Sequence, residues 1–126
     1  MPHIILEHSK AITNFAYEDC FTEINNTLSS ITEKSSLKTR AYSPVIENIG
    51  DNKDHLFIAL TLKLLKKPER TLEIKNKLSN DILNILNQYA EKSLSLIKNN
   101  NNNNNIKCQI TVEVLDLSDS YSKIII

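Results

Sequence analysis

The sequence predicts an α+β chain built from two β-α-β repeats, giving a four-stranded sheet with two helices on one face. Three observations carry this. Apolar patterns run strand, helix, strand and then strand, helix, strand again along the 126 residues. Two long segments place apolar residues at helical steps of three and four. The segment around residues 55–65 alternates strictly, with apolar side chains on both faces, as a strand inside a sheet does.

Residues 2–7 open the chain as a short strand centred on Ile4, Ile5 and Leu6. Residues 14–32 form a helix, because Tyr17, Phe21, Ile24, Leu28 and Ile31 fall on one face. Residues 37–47 form a second strand. Pro44 interrupts it, cannot donate to a ladder, and assigns it to an edge or a bend. Residues 49–54 hold the only Gly and two Asp and form a turn. In the next strand, residues 55–65, Leu56, Ile58, Leu60, Leu62 and Leu64 share a face; Phe57, Ala59, Thr61 and Lys63 take the other.

Residues 66–70, with Pro68, make a loop, and the Thr71 hydroxyl caps the helix that follows. That helix runs to about Ile97, with Leu78, Ile82, Ile85, Leu86, Tyr89, Leu96 and Ile97 as its apolar stripe. Residues 99–105 are seven consecutive asparagines, read as a solvent-exposed loop expansion. Residues 106–117 alternate as a last strand, with Ile110, Val112 and Val114 inward. The tail ends in Ile124, Ile125 and Ile126, and is expected to pack as a strand on its own chain or on a neighbouring copy. Two helices leave the opposite sheet face uncovered, so association is expected as well.

Charge and composition remove several classes of function. Fifteen basic residues balance fifteen acidic ones, which excludes a broad nucleic-acid footprint or a polybasic membrane patch. No apolar run reaches the roughly 18–20 residues that span a bilayer. The first residues lack the basic and apolar regions of a secretory signal, and a cytoplasmic protein is expected. Cys20 and Cys108 lie far apart and suit free thiols in a reducing compartment. One Gly rules out a glycine-rich phosphate cradle, and His3, His8 and His55 make no metal-ligand spacing.

Two features remain. The chain has 13 Lys but only two Arg, Arg40 and Arg70. Where nearly every cation is Lys, a guanidinium calls for a reason, and the bidentate grip on a carboxylate is one. Pro2 follows Met1. Methionine is removed before a small residue, which would leave Pro2 as a free secondary amine. Burial and nearby cations both favour the uncharged form of such an amine, making it a general base near neutral pH.

The opening Pro2-His3-Ile4-Ile5-Leu6-Glu7-His8-Ser9 resembles the start of the 5-carboxymethyl-2-hydroxymuconate delta-isomerases of the tautomerase superfamily. Leu37-Lys38-Thr39-Arg40-Ala41 resembles the family's second strand. Asp54-His55-Leu56-Phe57-Ile58-Ala59-Leu60-Thr61-Leu62-Lys63 resembles the strand that opens its second repeat, and Arg70-Thr71-Leu72-Glu73 the arginine heading its second helix. The resemblance implies one tautomerase-like domain over residues 1–126, with repeats at about 2–50 and 54–118. It implies a homotrimer and an isomerase that uses no cofactor or metal. The amino-terminal proline of that family moves a proton in an unsaturated 2-hydroxy or 2-oxo carboxylic acid, as in aromatic-acid catabolism. Carried over, Pro2 is the general acid/base, Arg40 and Arg70 bind carboxylates, and Lys38 is a weaker candidate for the same task. The rival reading is a non-catalytic trimeric binding or structural protein that keeps the fold; a third is hydration or dehalogenation of an unsaturated acid by the same proline.

Overall fold

The computed structural model describes residues 2–29, 39–46, 55–101 and 105–126. Six elements follow in order: β1 (His3–Ser9), α1 (Tyr17–Leu28), β2 (Thr39–Ile46), β3 (His55–Leu64), α2 (Leu72–Asn101) and β4 (Lys107–Asp116). The sheet order is β2-β1-β3-β4. β1 and β2 run parallel, β3 and β4 run parallel, and the two pairs meet antiparallel along β1 and β3. This is the expected pair of β-α-β repeats. Among the described residues no helix is long and apolar enough to cross a membrane.

The core lies between the sheet and the helices. β1 contributes Ile4 and Leu6, and β3 contributes Leu56, Ile58, Leu60, Leu62 and Leu64, all buried. Each such side chain removed from water contributes about 1.5–3 kcal/mol. The five from β3 make this inner strand the largest contributor among the described strand residues. Cys20, Phe21, Ile24 and Leu28 face them from α1, and Leu78, Ile82, Leu86 and Ala90 from α2. β4 is an edge whose Cys108, Ile110, Val112 and Val114 are only partly covered.

β2 is the other edge, and Pro44 explains why. Between Glu7 and Ser9 the register slips: Glu7 opposes Ser43 and Ser9 opposes Ile46. Pro44 and Val45 thus face a single β1 residue, a bulge that absorbs the missing N–H.

Helix boundaries differ from the periodicity in ways the hydrogen bonds explain. α1 starts at Tyr17 rather than residue 14. The Asn14 carbonyl accepts a hydrogen bond from the Ser93 hydroxyl of α2 at 3.4 Å, and the Tyr17 amide turns back to the Phe15 carbonyl at 3.0 Å. Ser29 closes the helix, its hydroxyl and its amide both donating to the Asn26 carbonyl. Ile31 and the 49–54 turn lie outside the described residues. α2 begins at the expected cap, with the Ile74 amide donating to Thr71 Oγ1 at 3.3 Å.

Three expectations are corrected. α2 continues through Asn99, Asn100 and Asn101, so the asparagine run is not wholly loop. Extending a formed helix adds one hydrogen bond per residue, and asparagine's propensity penalty is small. Leu96 is half exposed, while Ser93 is buried in the stripe. The tail from Tyr121 has no regular structure, and Ile124, Ile125 and Ile126 are fully exposed rather than packed as a strand on their own chain.

Candidate active site

The register gathers one end of the sheet around the start of β1. His3 opposes Thr39 of β2 on one side and Lys63 of β3 on the other. Leu64 opposes Asp116 at the end of β4, and the Leu117 amide donates to the Leu64 carbonyl at 2.7 Å. Pro2, immediately before His3, is buried. It has the parity of the buried Ile4 and Leu6 along the chain.

Arg70 reaches the same end from the loop between β3 and α2. It is only 7% exposed. Its Nη1 donates to the Leu65 carbonyl at 2.8 Å, and its amide donates to the Lys67 carbonyl at 3.0 Å. No carboxylate among the described residues pairs with it. A buried guanidinium held by one carbonyl keeps the rest of its donor fork for another acceptor. Arg40 lies on β2 with its Cα opposite Ile4, so its backbone is at this end too; its side chain and Lys38 lie outside the described residues.

Further groups complete the end. Lys75, in the first turns of α2, forms an ion pair with Asp116 Oδ2 at 2.9 Å. Asp116 Oδ1 is buried without a hydrogen-bond partner among the described residues. Tyr121 of the tail approaches His3 with its hydroxyl 3.5 Å from Nε2, the rings edge-on at 6.1 Å. The His3 imidazole is held below its usual value, first by burial and then by the positive charges of the amino terminus, Lys123 and Lys63. The sequence reading did not single out Lys63, Lys75, Asp116 or Tyr121. Lys63 was visible as the polar end of an alternating strand. Tyr121 and His3 are 118 positions apart, and no local pattern joins them.

A second polar cluster sits at the opposite end of β1, roughly 20 Å away at strand rise. His8 is 1% exposed. Its Nδ1 donates to the Ser9 carbonyl at 2.8 Å, so its Nε2 carries the lone pair that accepts the Tyr17 hydroxyl. Tyr17 stacks on Tyr42 with ring centroids 3.7 Å apart. A shallow cleft of about 250 Å³ opens there, lined by Ala16, Tyr17, Glu18, Asp19 and Tyr42. Among the described residues its lining carries two carboxylates, Glu18 and Asp19, and no cation.

No family model and no curated relative matches the sequence. Solved structures do match the fold. A 5-carboxymethyl-2-hydroxymuconate isomerase from Deinococcus radiodurans R1 superposes with a TM-score of 0.73 at 16% identity, over 97% of this chain and 88% of that one. A 5-carboxymethyl-2-hydroxymuconate delta-isomerase superposes with a TM-score of 0.71 at 12% identity, over 99% and 88%. At such identity the agreement is one of fold: nearly the whole chain adopts the architecture those proteins have.

Proposed function

We propose that this chain is a cofactor-independent isomerase that shifts a proton within an unsaturated 2-hydroxy or 2-oxo carboxylic acid. Pro2, freed by removal of Met1, is the base. The observation that carries the reading is the buried Arg70, which has no carboxylate partner among the described residues and is tied to the sheet end where Pro2 begins β1. Burying a cation without a counter-charge is costly, and a substrate carboxylate supplies the missing partner.

The chemistry needs little else. The lone pair of the proline nitrogen takes a proton from a carbon beside the 2-oxo group. The C–H electrons delocalise onto the oxygen as a dienolate, and the ammonium returns the proton at the remote carbon. Atoms and electrons balance within one molecule. A positioned guanidinium stabilises the oxygen's growing charge. It also disfavours the ammonium form of an amine that would otherwise titrate at about 7.7–8.0 or higher. Arg40 and Lys38 serve as further carboxylate ligands in this reading, and a homotrimer covers the open sheet face. The shared fold with two proteins named as 5-carboxymethyl-2-hydroxymuconate isomerases supports it.

The test is an ultraviolet assay of the protein, made in its own host, against a panel of dienols and 2-oxo acids, with intact-mass analysis of the same preparation. Turnover by a chain starting at Pro2 supports the proposal. A retained Met1, which leaves the nitrogen an amide, ends it, as does the absence of turnover across the panel.

A further inference from the structure

We infer that Tyr17 is a redox-active tyrosine: a one-electron oxidant of the peroxyl-radical class draws an electron from the stacked Tyr17–Tyr42 pair while the Tyr17 phenol proton passes to His8. The site lies at the end of β1 away from Pro2 and does not rest on the isomerase reading. It is also on the helix-covered side of the sheet. Tyr42 opposes the buried Leu6, His8 opposes the buried Ile58, and Tyr17 opens α1.

A phenol gives up an electron readily only where its proton has somewhere to go, because a phenol that keeps its proton is left as a strongly acidic cation. Tyr17 has both the proton and the acceptor. Burial first, and then the neighbouring Tyr42, hold its phenol above the ordinary 10.0, so the O–H bond is intact at neutral pH. The hydroxyl donates to His8 Nε2. That nitrogen carries the lone pair because the Nδ1 proton is committed to the Ser9 carbonyl at 2.8 Å. His8 is 1% exposed, so bulk water does not compete for that lone pair.

The electron has a way out as well. The Tyr42 ring lies 3.7 Å from the Tyr17 ring between centroids, 14° from parallel, and Tyr42 is 54% exposed. Both rings line the cleft of about 250 Å³, together with Glu18 and Asp19. These carboxylates favour the imidazolium that the step creates. They also turn away anionic oxidants, whereas a small neutral peroxyl radical has the size and charge that the cleft admits. In the step, the Tyr17 O–H bond breaks. Its electron leaves through the ring pair and turns the peroxyl radical into a peroxide anion; its proton makes His8 an imidazolium. An electron from a thiolate then re-forms the phenol with the same proton. A purely structural His8–Tyr17 bond requires neither a second, exposed ring nor a cleft.

The test oxidises the full-length protein with photogenerated tris(bipyridine)ruthenium(III), which stands in for the peroxyl radical. Tyrosyl radical is followed by transient absorbance and identified by electron paramagnetic resonance. The parent is expected to form a radical at a rate that does not change with the concentration of buffer base, because the proton acceptor is internal. Tyr17→Phe should lose that component and leave only the buffer-dependent oxidation of exposed phenols such as Tyr121. Tyr42→Leu should slow its formation. Glu18→Gln with Asp19→Asn should keep the buffer independence, since His8 takes the proton. A parent oxidised only in proportion to buffer base overturns the inference, as does a Tyr17→Phe protein that keeps the buffer-independent component. An unchanged rate in Tyr42→Leu, or a carboxylate variant that becomes buffer-dependent, overturns it too. None of these readouts involves turnover, so the isomerase reading stands or falls separately.

Discussion

The Arg70 guanidinium donates from Nη1 to the Leu65 carbonyl, 2.8 Å away, while the side chain is 7% exposed. One hydrogen bond to a neutral carbonyl fixes the direction of the side chain, and no carboxylate among the described residues compensates its charge. Arg70→Ala is expected to raise KM for a dienol acid by about 10- to 100-fold, the equivalent of one charge-assisted hydrogen bond. Arg70→Lys should recover little, because an ammonium has no planar fork. Steady-state kinetics on both variants checks this; a KM within twofold of the parent in Arg70→Ala would argue against contact.

Tyr17→Phe tests the other end of β1. The change leaves Nε2 of the buried His8 without its donor. An orphaned buried acceptor costs about 1–3 kcal/mol, read as a lower urea midpoint at unchanged slope. Activity should stay near that of the parent, because the pair stands roughly 20 Å from Pro2. A large loss of turnover at parental stability would move the catalytic assignment to that cluster.

The two thiols give a pH dependence of known sign. Burial first, and then the Glu23 charge, push Cys20 up to about 12; burial pushes Cys108 up to about 11; the ordinary value is 9.0. Each folded value lies above the unfolded one, so the folded state holds its protons longer. The associated stability is fully present below pH 9 and is lost as pH rises toward 11–12. Native protein should therefore react slowly with an aromatic disulfide reagent at pH 8, with Cys108 on the edge strand the faster, and both should react at once in urea. Rapid labelling of Cys20 in the native state would contradict its burial.

Much of this fold was legible because it rests on patterns shorter than about a dozen residues. The strict alternation of β3, the Thr71 cap and Pro44 at an edge each appear in the structure as expected. What could not be read depends on partners distant in sequence. Asn14 gives its carbonyl to Ser93 and shortens α1; Asp116 meets Lys75; Tyr121 meets His3. The asparagine run was misjudged at its start because composition ignores the helix already formed before it. Of the candidate site, Pro2 and Arg70 were named from chemistry, Pro2 as a freed secondary amine and Arg70 as a scarce guanidinium. Lys63 and Lys75 carry no mark that sets them apart from the other eleven lysines.

The central claim is that the Pro2 nitrogen carries the proton, and Pro2→Ala tests it most directly. The substitution keeps an amino terminus but replaces the cyclic secondary amine with a primary one. Its turnover of a 2-hydroxymuconate or of enolised phenylpyruvate, followed by ultraviolet absorbance, is predicted to fall at least about tenfold below the parent. A Pro2→Ala protein as active as the parent would contradict the account.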